Sequence, residues 1–423
     1  MEQPEGRAAP TPPAAATTTS GGPVRLTLGT GVAAGGDGIG RLGDGRVVLV
    51  EGGLPGETVA AEVVEVHRDY ARARVADVVA ASPDRVAPPC PSRLLGCGGC
   101  GWQHVAADAQ VRLKEAIVAD ALRRAGGVQQ SVPMRSVRLP AGGYRTTVHL
   151  AVGRDGRPAY RLGRSHATVA PSSCLVAHPS LEELIVGSRL PGVRRVTLRV
   201  GVAGGERLAV VDRRPAAPVT LPAGASLIGP RGRGFVHEDA GGRRWRVGAA
   251  SFFQAGPAAA GALAASVLAA LGDGPVGYVV DLYAGVGLLG GVAASRLGSS
   301  LLAVERSPSA VADARHNLAD LDARIVASEV GRWRPEVVRG LARGTAPADA
   351  VIADPARPGL GRPGVGAVSA TGAGVLALVS CDPASLGRDA RLLAGDGWRL
   401  ASVTLVDAFP QTPHVECVSR FER

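Results

Sequence analysis

The sequence predicts a C-terminal α/β domain of Rossmann-like type with seven strands, preceded by a small β-barrel and a β-rich central region. Three observations predict it. From residue 249 onward, apolar runs of strand length alternate with helix-length runs, a pattern that builds a sheet covered by helices. The glycine turn Tyr283-Ala284-Gly285-Val286-Gly287 follows the first strand of that series. Residues 24–85 read instead as short β-runs between glycine turns, the spacing of a small barrel.

Residues 1–23 are rich in Ala, Pro and Thr, hold too little apolar surface to order themselves, and are expected to form a disordered tail. Across 24–85, strands are predicted at 24–28, 46–51, 57–66 and 70–79. The turns Gly35-Gly36-Asp37-Gly38-Ile39-Gly40 and Leu54-Pro55-Gly56-Glu57 resemble those of TRAM domains, small barrels that bind RNA. The central region, 86–246, opens on three cysteines and continues into an amphipathic helix over 106–125, a candidate to pack on the domain that follows. Its β-runs fall at 149–152, 194–200, 207–211, 235–237 and 243–247. In the C-terminal domain, 247–423, a helix at 258–270 precedes strands at 278–282, 301–304, 323–327, 348–353, 375–380, 400–406 and 415–421, with helices such as 308–319 between them.

A chain of 423 residues exceeds one typical domain. It has no apolar run approaching the roughly 18 residues of a membrane span, and no basic-then-apolar leader, so a cytoplasmic monomer without membrane contact is expected. The net charge of +10 is unevenly placed. Residues 135–246 hold 19 arginines against seven acids, a net of +12, whereas 24–87 come to −2 and 247–423 to −1. A basic segment beside near-neutral ones points to a polyanionic partner, nucleic acid being the commonest one. The turns Gly143-Tyr144-Arg145 and Tyr160-Arg161-Leu162-Gly163-Arg164-Ser165-His166 offer arginines to phosphates.

Six cysteines without an export signal argue for metal or catalytic use rather than a disulfide framework. Cys90, Cys97 and Cys100, with Cys174 downstream, supply four thiolates among glycines that let them converge. Four thiolates suit a 4Fe–4S cluster or a structural zinc; zinc usually takes two close pairs and only Cys97/Cys100 is close, so the cluster ranks first. Its expected role is structural, tying two distant loops together.

Cys381 ends the apolar run 375–380 and precedes a proline that stops the strand, while Asp281 and Asp354 also mark strand ends and Glu416 lies on the last strand. Ligands bind at such ends in open α/β sheets. The turn lacks the Gly-x-Gly-x-x-Gly of a pyrophosphate site. Asp281-Leu282-Tyr283-Ala284-Gly285-Val286-Gly287, with Glu305 placed to hold ribose hydroxyls, suits S-adenosylmethionine, which carries no pyrophosphate.

Together with Phe252-Phe253-Gln254, Asp354-Pro355-Ala356-Arg357-Pro358-Gly359, Ser380-Cys381-Asp382-Pro383 and His414-Val415-Glu416, these motifs make the chain resemble the TRAM-containing RNA 5-methyluridine methyltransferases, from about Val24 to Arg423. The resemblance implies that Gln254, Tyr283, Glu305 and Asp354 line the S-adenosylmethionine site. It further implies that Cys381 is the nucleophile toward a uridine of rRNA or tRNA, that Glu416 is the base, and that Cys90, Cys97, Cys100 and Cys174 hold a 4Fe–4S cluster. Leu288, Gly256 and Asp382 stand where relatives usually carry Asn. These departures motivate an alternative, an inactive RNA-binding or chaperone protein of the same fold. Asp382 is expected to raise the pKa of the neighbouring thiol.

Overall fold

A computed structural model describes residues 22–163, 165, 167–335 and 347–423. Nearly all of the expected tail, and Arg164 and His166 of the second arginine turn, lie outside the described residues. The chain forms two compact units that divide after Arg85.

In the first unit, β1 (Val24–Thr27), β2 (Gly38–Arg41), β3 (Val47–Glu51), β4 (Thr58–Val66) and β5 (Tyr70–Ala80) form one sheet in the order β1-β4-β5-β3-β2. Alternation along β3, β4 and β5 turns Val48, Val50, Val59, Ala61, Ala71 and Ala73 onto Leu26 and Leu28. Beyond β1, the Gly29 amide donates to the Ile39 carbonyl of β2 across 2.8 Å, so the sheet curls its ends together. A Cβ on Gly53 would lie 2.4 Å from Leu28 Cδ1, so a larger residue there would have to displace the Leu28 side chain. β2 falls inside a stretch the sequence reads as a turn; its glycines pack beneath Leu28 rather than reverse the chain. Glu57 is wholly buried and accepts from the Leu54 amide at 2.8 Å, the Ser82 amide at 3.2 Å and Arg85 Nε at 2.5 Å. Burial pulls its pKa up, but Arg85 and the two amides outweigh burial and hold it below the usual carboxylate value.

The second unit begins with the one-turn α1 (Pro91–Leu94) and α2 (Ala107–Arg124). β6 (Met134–Val137), β7 (Thr147–Val152), β8 (Pro158–Arg161) and β9 (Thr168–Val169) follow, then α3 (Pro179–Gly187), β10 (Arg195–Val200), β11 (Arg207–Val211) and β12 (Ala225–Ile228). A hairpin of β13 (Phe235–Ala240) and β14 (Arg243–Gly248) leads to α4 (Pro257–Leu271). The alternating series is β15 (Tyr278–Leu282), α5 (Leu288–Leu297), β16 (Ser300–Glu305), α6 (Pro308–Asn317), β17 (Ala323–Ala327), β18 (Ala350–Ala353), α7 (Gly361–Ala370), β19 (Val375–Ser380), α8 (Pro383–Gly395), β20 (Arg399–Val406) and β21 (Cys417–Glu422).

Six strands, β12-β11-β10-β7-β8-β9, form one sheet, whose core with α3 is Leu181, Leu184, Ile185 and Leu198. The larger sheet runs β17-β16-β15-β18-β19-β21-β20-β6. It has eight strands rather than the predicted seven. Met134-Arg135-Ser136-Val137 has no sustained alternation to announce a strand, yet it pairs parallel with β20 at the sheet edge. β21 is antiparallel to both neighbours and the other pairs are parallel. Strands buried on both faces read as continuous apolar runs, which is why β15, β18 and β19 were legible. One face packs Leu263, Val267 and Val292 of α4 and α5; the other packs Val118, Val365 and Leu386 of α2, α7 and α8.

No helix among the described residues is long and apolar enough to cross a membrane. The arginine-rich segment is partly used internally. Arg207 pairs with Glu183, Arg243 with Asp320, Arg244 with Asp239 and Arg246 with Asp313, and Arg199 is buried. Arg154, Arg161, Arg194, Arg195, Arg231 and Arg233 are exposed.

Candidate active site

Three parallel strands and one antiparallel strand bring the site together. Asp354 follows β18 and its amide donates to the Leu282 carbonyl at the end of β15. Cys381 follows β19. Ser380 is paired with Cys417 across the β19–β21 ladder, so antiparallel continuation sets Cys381 opposite Glu416. Register, rather than sequence distance, joins thiol and carboxylate.

The thiol of Cys381 is half-buried and pushed up to about 11, first by desolvation and then by Glu416 and Asp354, with Arg357 opposing them. Glu416 is buried and held well above the usual carboxylate range by desolvation, reinforced by Asp354. Asp354 is raised to about 7 by desolvation and receives Gln254 Nε2 at 3.3 Å. Burial thus disfavours the ionised form of all three groups, and an incoming positive charge would favour it.

Asp382 does not act on the thiol as expected. Its carboxylate accepts from the Ser385 amide at 2.7 Å and caps α8, where the helix dipole favours negative charge. The charges that face Cys381 are Glu416, Asp354 and Arg357. Gly256 also has a local reason, since a Cβ there would lie 2.0 Å from the Tyr144 carbonyl oxygen. Leu288 opens α5 and is buried in the core, leaving no polar group at that position.

Beside this cluster lies the glycine turn. Tyr283 has φ 67°, a left-handed conformation that a non-glycine residue holds at the cost of roughly 1–3 kcal/mol and that recurs at ligand sites. Gly285 has φ 57°, and a Cβ there would meet nothing within 4 Å, so the turn faces open space. Glu305, at the end of β16, accepts from the amides of Gly285 at 2.9 Å, Arg306 at 2.8 Å and Ser307 at 2.6 Å. It thus fixes the turn and the start of α6. Asp281 is raised to about 8 by desolvation, then by Asp354 and Glu305; one oxygen takes the Gly290 amide at 2.9 Å and the other is a buried acceptor without a partner. A buried acceptor without a partner calls for an explanation, and a bound polar ligand would supply one.

Cys90, Cys97, Cys100 and Cys174 are all free thiols and line a single cavity of about 80 Å³. Among the described residues, no three His, Cys, Asp or Glu side chains gather to hold a metal ion. Desolvation, reinforced by the neighbouring thiols, raises Cys97, and it pushes Cys100 up to about 11. The Cys174 amide donates to Glu182 at 2.7 Å and the Cys90 amide to Gln103 at 3.2 Å, which orients both loops.

Several contributors had no signal in the sequence. Asp389 of α8, buried, accepts from the Leu360 and Gly361 amides at 2.7 and 3.0 Å and shapes the loop after Asp354. Arg199 of β10 donates to the carbonyls of Gly248 at 2.6 Å and Ser251 at 2.7 Å, fixing the approach to Gln254. At the rim, Arg145 lies over the Phe409 ring at 5.7 Å. His414 is pushed down to about 4 by desolvation and by Arg357, Lys114 and Arg145. Phe252, beside the buried Phe253 and Gln254, is 71% exposed, large for an aromatic ring with no partner to cover it.

Comparison with known proteins agrees with this layout. The TRAM domain family matches residues 28–76, and the family described as conserved hypothetical protein 95 matches residues 266–356. An uncharacterized RNA methyltransferase of Streptomyces avermitilis is 36% identical, covering 92% of this chain and 96% of its own. The 23S rRNA (uracil(1939)-C(5))-methyltransferase of Methylococcus capsulatus is 33% identical, covering 90% and 93%. The solved structure of Pyrococcus abyssi tRNA (uracil-54, C5)-methyltransferase in complex with S-adenosyl-L-homocysteine superposes with a TM-score of 0.70 at 24% identity, covering 94% of this chain and 99% of its own. At that identity the likeness speaks for the fold.

Proposed function

The chain belongs to the RNA methyltransferases that carry a TRAM domain, and from that membership we propose that it methylates C5 of a uridine in rRNA or tRNA through a covalent Cys381 adduct. The observation that carries the proposal is the ladder register that sets the Cys381 thiol opposite Glu416 at the strand ends, beside the glycine turn. A similar relative acts on uracil C5 of 23S rRNA, which supports the choice of atom.

S-adenosylmethionine, when bound, supplies an electrophilic methyl on a positively charged sulfur. Gln254, Tyr283, Glu305 and Asp354 would hold it. The open space at Gly285, the unpartnered Asp281 oxygen and the raised carboxylates fit a cationic ligand rich in polar groups.

C5 of uridine is a weak nucleophile. The Cys381 thiolate adds to C6, and the electron pair of the C5–C6 double bond moves toward C5 and the C4 carbonyl. C5 then takes the methyl group as the methyl–sulfur bond breaks, its electron pair staying on the sulfur, which leaves as a neutral thioether. Glu416 removes the remaining C5 proton, the C5–C6 double bond re-forms, and the C6–S bond breaks to release the thiolate. Both faces of the ring must be reached, so the uridine leaves its stack, and the exposed Phe252 ring offers a surface for a neighbouring base. The same proposal assigns Cys90, Cys97, Cys100 and Cys174 to a 4Fe–4S cluster with a structural role, supported by the cavity they line.

RNA containing 5-fluorouridine tests the reading, because fluorine cannot leave as a proton. The wild-type protein with S-adenosylmethionine should form an adduct stable to denaturing electrophoresis, and Cys381→Ala should form none. An adduct in Cys381→Ala would refute the assignment. Nucleoside mass spectrometry of RNA from cells lacking the protein would then show which 5-methyluridine disappears.

A further inference from the structure

Among 47 basic residues in this chain, one is a lysine, Lys114, and its side chain is completely buried. A solvated position would accept Arg as readily as the other 46 do. Lys114 Nζ donates to Asp407 Oδ1 at 2.6 Å and to the Phe409 carbonyl at 3.0 Å. A compact ammonium can serve these two acceptors in a closed space, whereas a planar guanidinium needs more room and a flat partner. The lysine comes from α2 and its acceptors from the loop between β20 and β21.

That loop leads directly to Glu416. The Val406 amide donates to the Glu416 carbonyl at 2.8 Å, so Asp407 is the next residue after the backbone partner of the carboxylate. Other ties secure the same loop. Gln411, at φ 68°, is a strained non-glycine residue. Its amide donates to Gln110 Oε1 at 2.7 Å, and its carbonyl accepts from the Trp102 amide at 2.9 Å. Tyr144 Oη donates to the Pro410 carbonyl at 3.1 Å. The charges that act on the thiol are Glu416, Asp354 and Arg357, so Lys114 acts on the loop.

We propose that Lys114, through Asp407 and Phe409, is a positioning residue for Glu416, holding the loop so that the carboxylate reaches the C5 proton after methyl transfer. The inference rests on the covalent mechanism above. It assigns Lys114 to resolution of the adduct, not to its formation.

Lys114→Ala would leave Asp407 buried without its partner and could simply unfold the unit. The test therefore uses Lys114→Met/Asp407→Leu, which keeps volume, removes both charges and loses the tie to Phe409. Folding is checked by thermal melting and S-adenosylmethionine binding by calorimetry. With 5-fluorouridine RNA, the double variant should form adduct at the wild-type rate. With ordinary RNA, turnover should fall about tenfold to a hundredfold while methylated covalent complex accumulates, as expected for a base displaced by about 1 Å. A folded double variant that releases product at the wild-type rate overturns the assignment, and so does slower turnover without accumulated complex. If the wild-type protein forms no adduct with 5-fluorouridine RNA, the covalent mechanism falls and the assignment with it. The two failures are thus read from different proteins.

Discussion

In the proposed mechanism Cys381 must lose a proton before it attacks, and its surroundings oppose that loss. Desolvation, Glu416 and Asp354 together push the thiol up to about 11, so the reactive thiolate is the minor form at neutral pH and grows as pH rises. Adduct formation by the protein with S-adenosylmethionine and 5-fluorouridine RNA should therefore speed up steadily from pH 7 to 9, by up to about tenfold per unit where the thiol alone limits the rate. Asp382 is not part of this balance, because its carboxylate caps α8. Asp382→Asn should leave the pH profile in place and change stability by no more than about 0.5 kcal/mol, since Asn caps almost as well and loses only the dipole contribution. A profile displaced to lower pH in that variant would restore Asp382 as a determinant of the thiol.

At the scale of elements, loops are positioned by buried charges from elsewhere in the chain. Asp313 of α6 accepts from the Gly248 amide at 2.7 Å and the Ser251 hydroxyl at 2.5 Å, while Arg199 of β10 grips the carbonyls of the same two residues. Two charged groups, one from a helix and one from a strand, thereby close on the segment that carries Gln254. Arg199 is lowered to about 10 by desolvation, with Glu238 and Asp313 opposing, so it remains a cation at neutral pH. Arg199→Met keeps the aliphatic stem and removes the grip. It should weaken S-adenosylmethionine binding by about tenfold in calorimetry, consistent with about 1.5 kcal/mol for losing charge-assisted hydrogen bonds at a buried site. Unchanged affinity would show that Gln254 is held without it.

At the scale of the second unit, the cysteine segment and the loop before Glu416 are adjoining parts of one structure. The Trp102 amide, two residues after Cys100, donates to the Gln411 carbonyl. If the four thiols hold a cluster, Cys97→Ser should cut iron and sulfide content sharply. The melting temperature of residues 86–423 should fall by about 5 °C, the shift expected for a loss of 1–3 kcal/mol in a domain of this size. Iron retained at the wild-type level in Cys97→Ser would remove that residue from the ligand set.

Much of this was legible in residue order alone. Continuous apolar runs announced β15, β18 and β19, because a strand buried on both faces needs no alternation. The glycine turn, the strand-end acids and the cysteine spacing located the candidate site residues. β6 was not legible, since four residues without a pattern become a strand only when β20 offers an edge. Neither was the service of Asp382 as a helix cap, the internal pairing of several arginines of the basic segment, or the reach of Lys114 across 293 positions to Asp407. The sequence by itself determined which chemical groups this protein has and which secondary structure carries them, because local propensity and periodicity are properties of neighbours along the chain. Only the tertiary structure decided which charges face which, since burial and Coulomb interaction depend on distance in space.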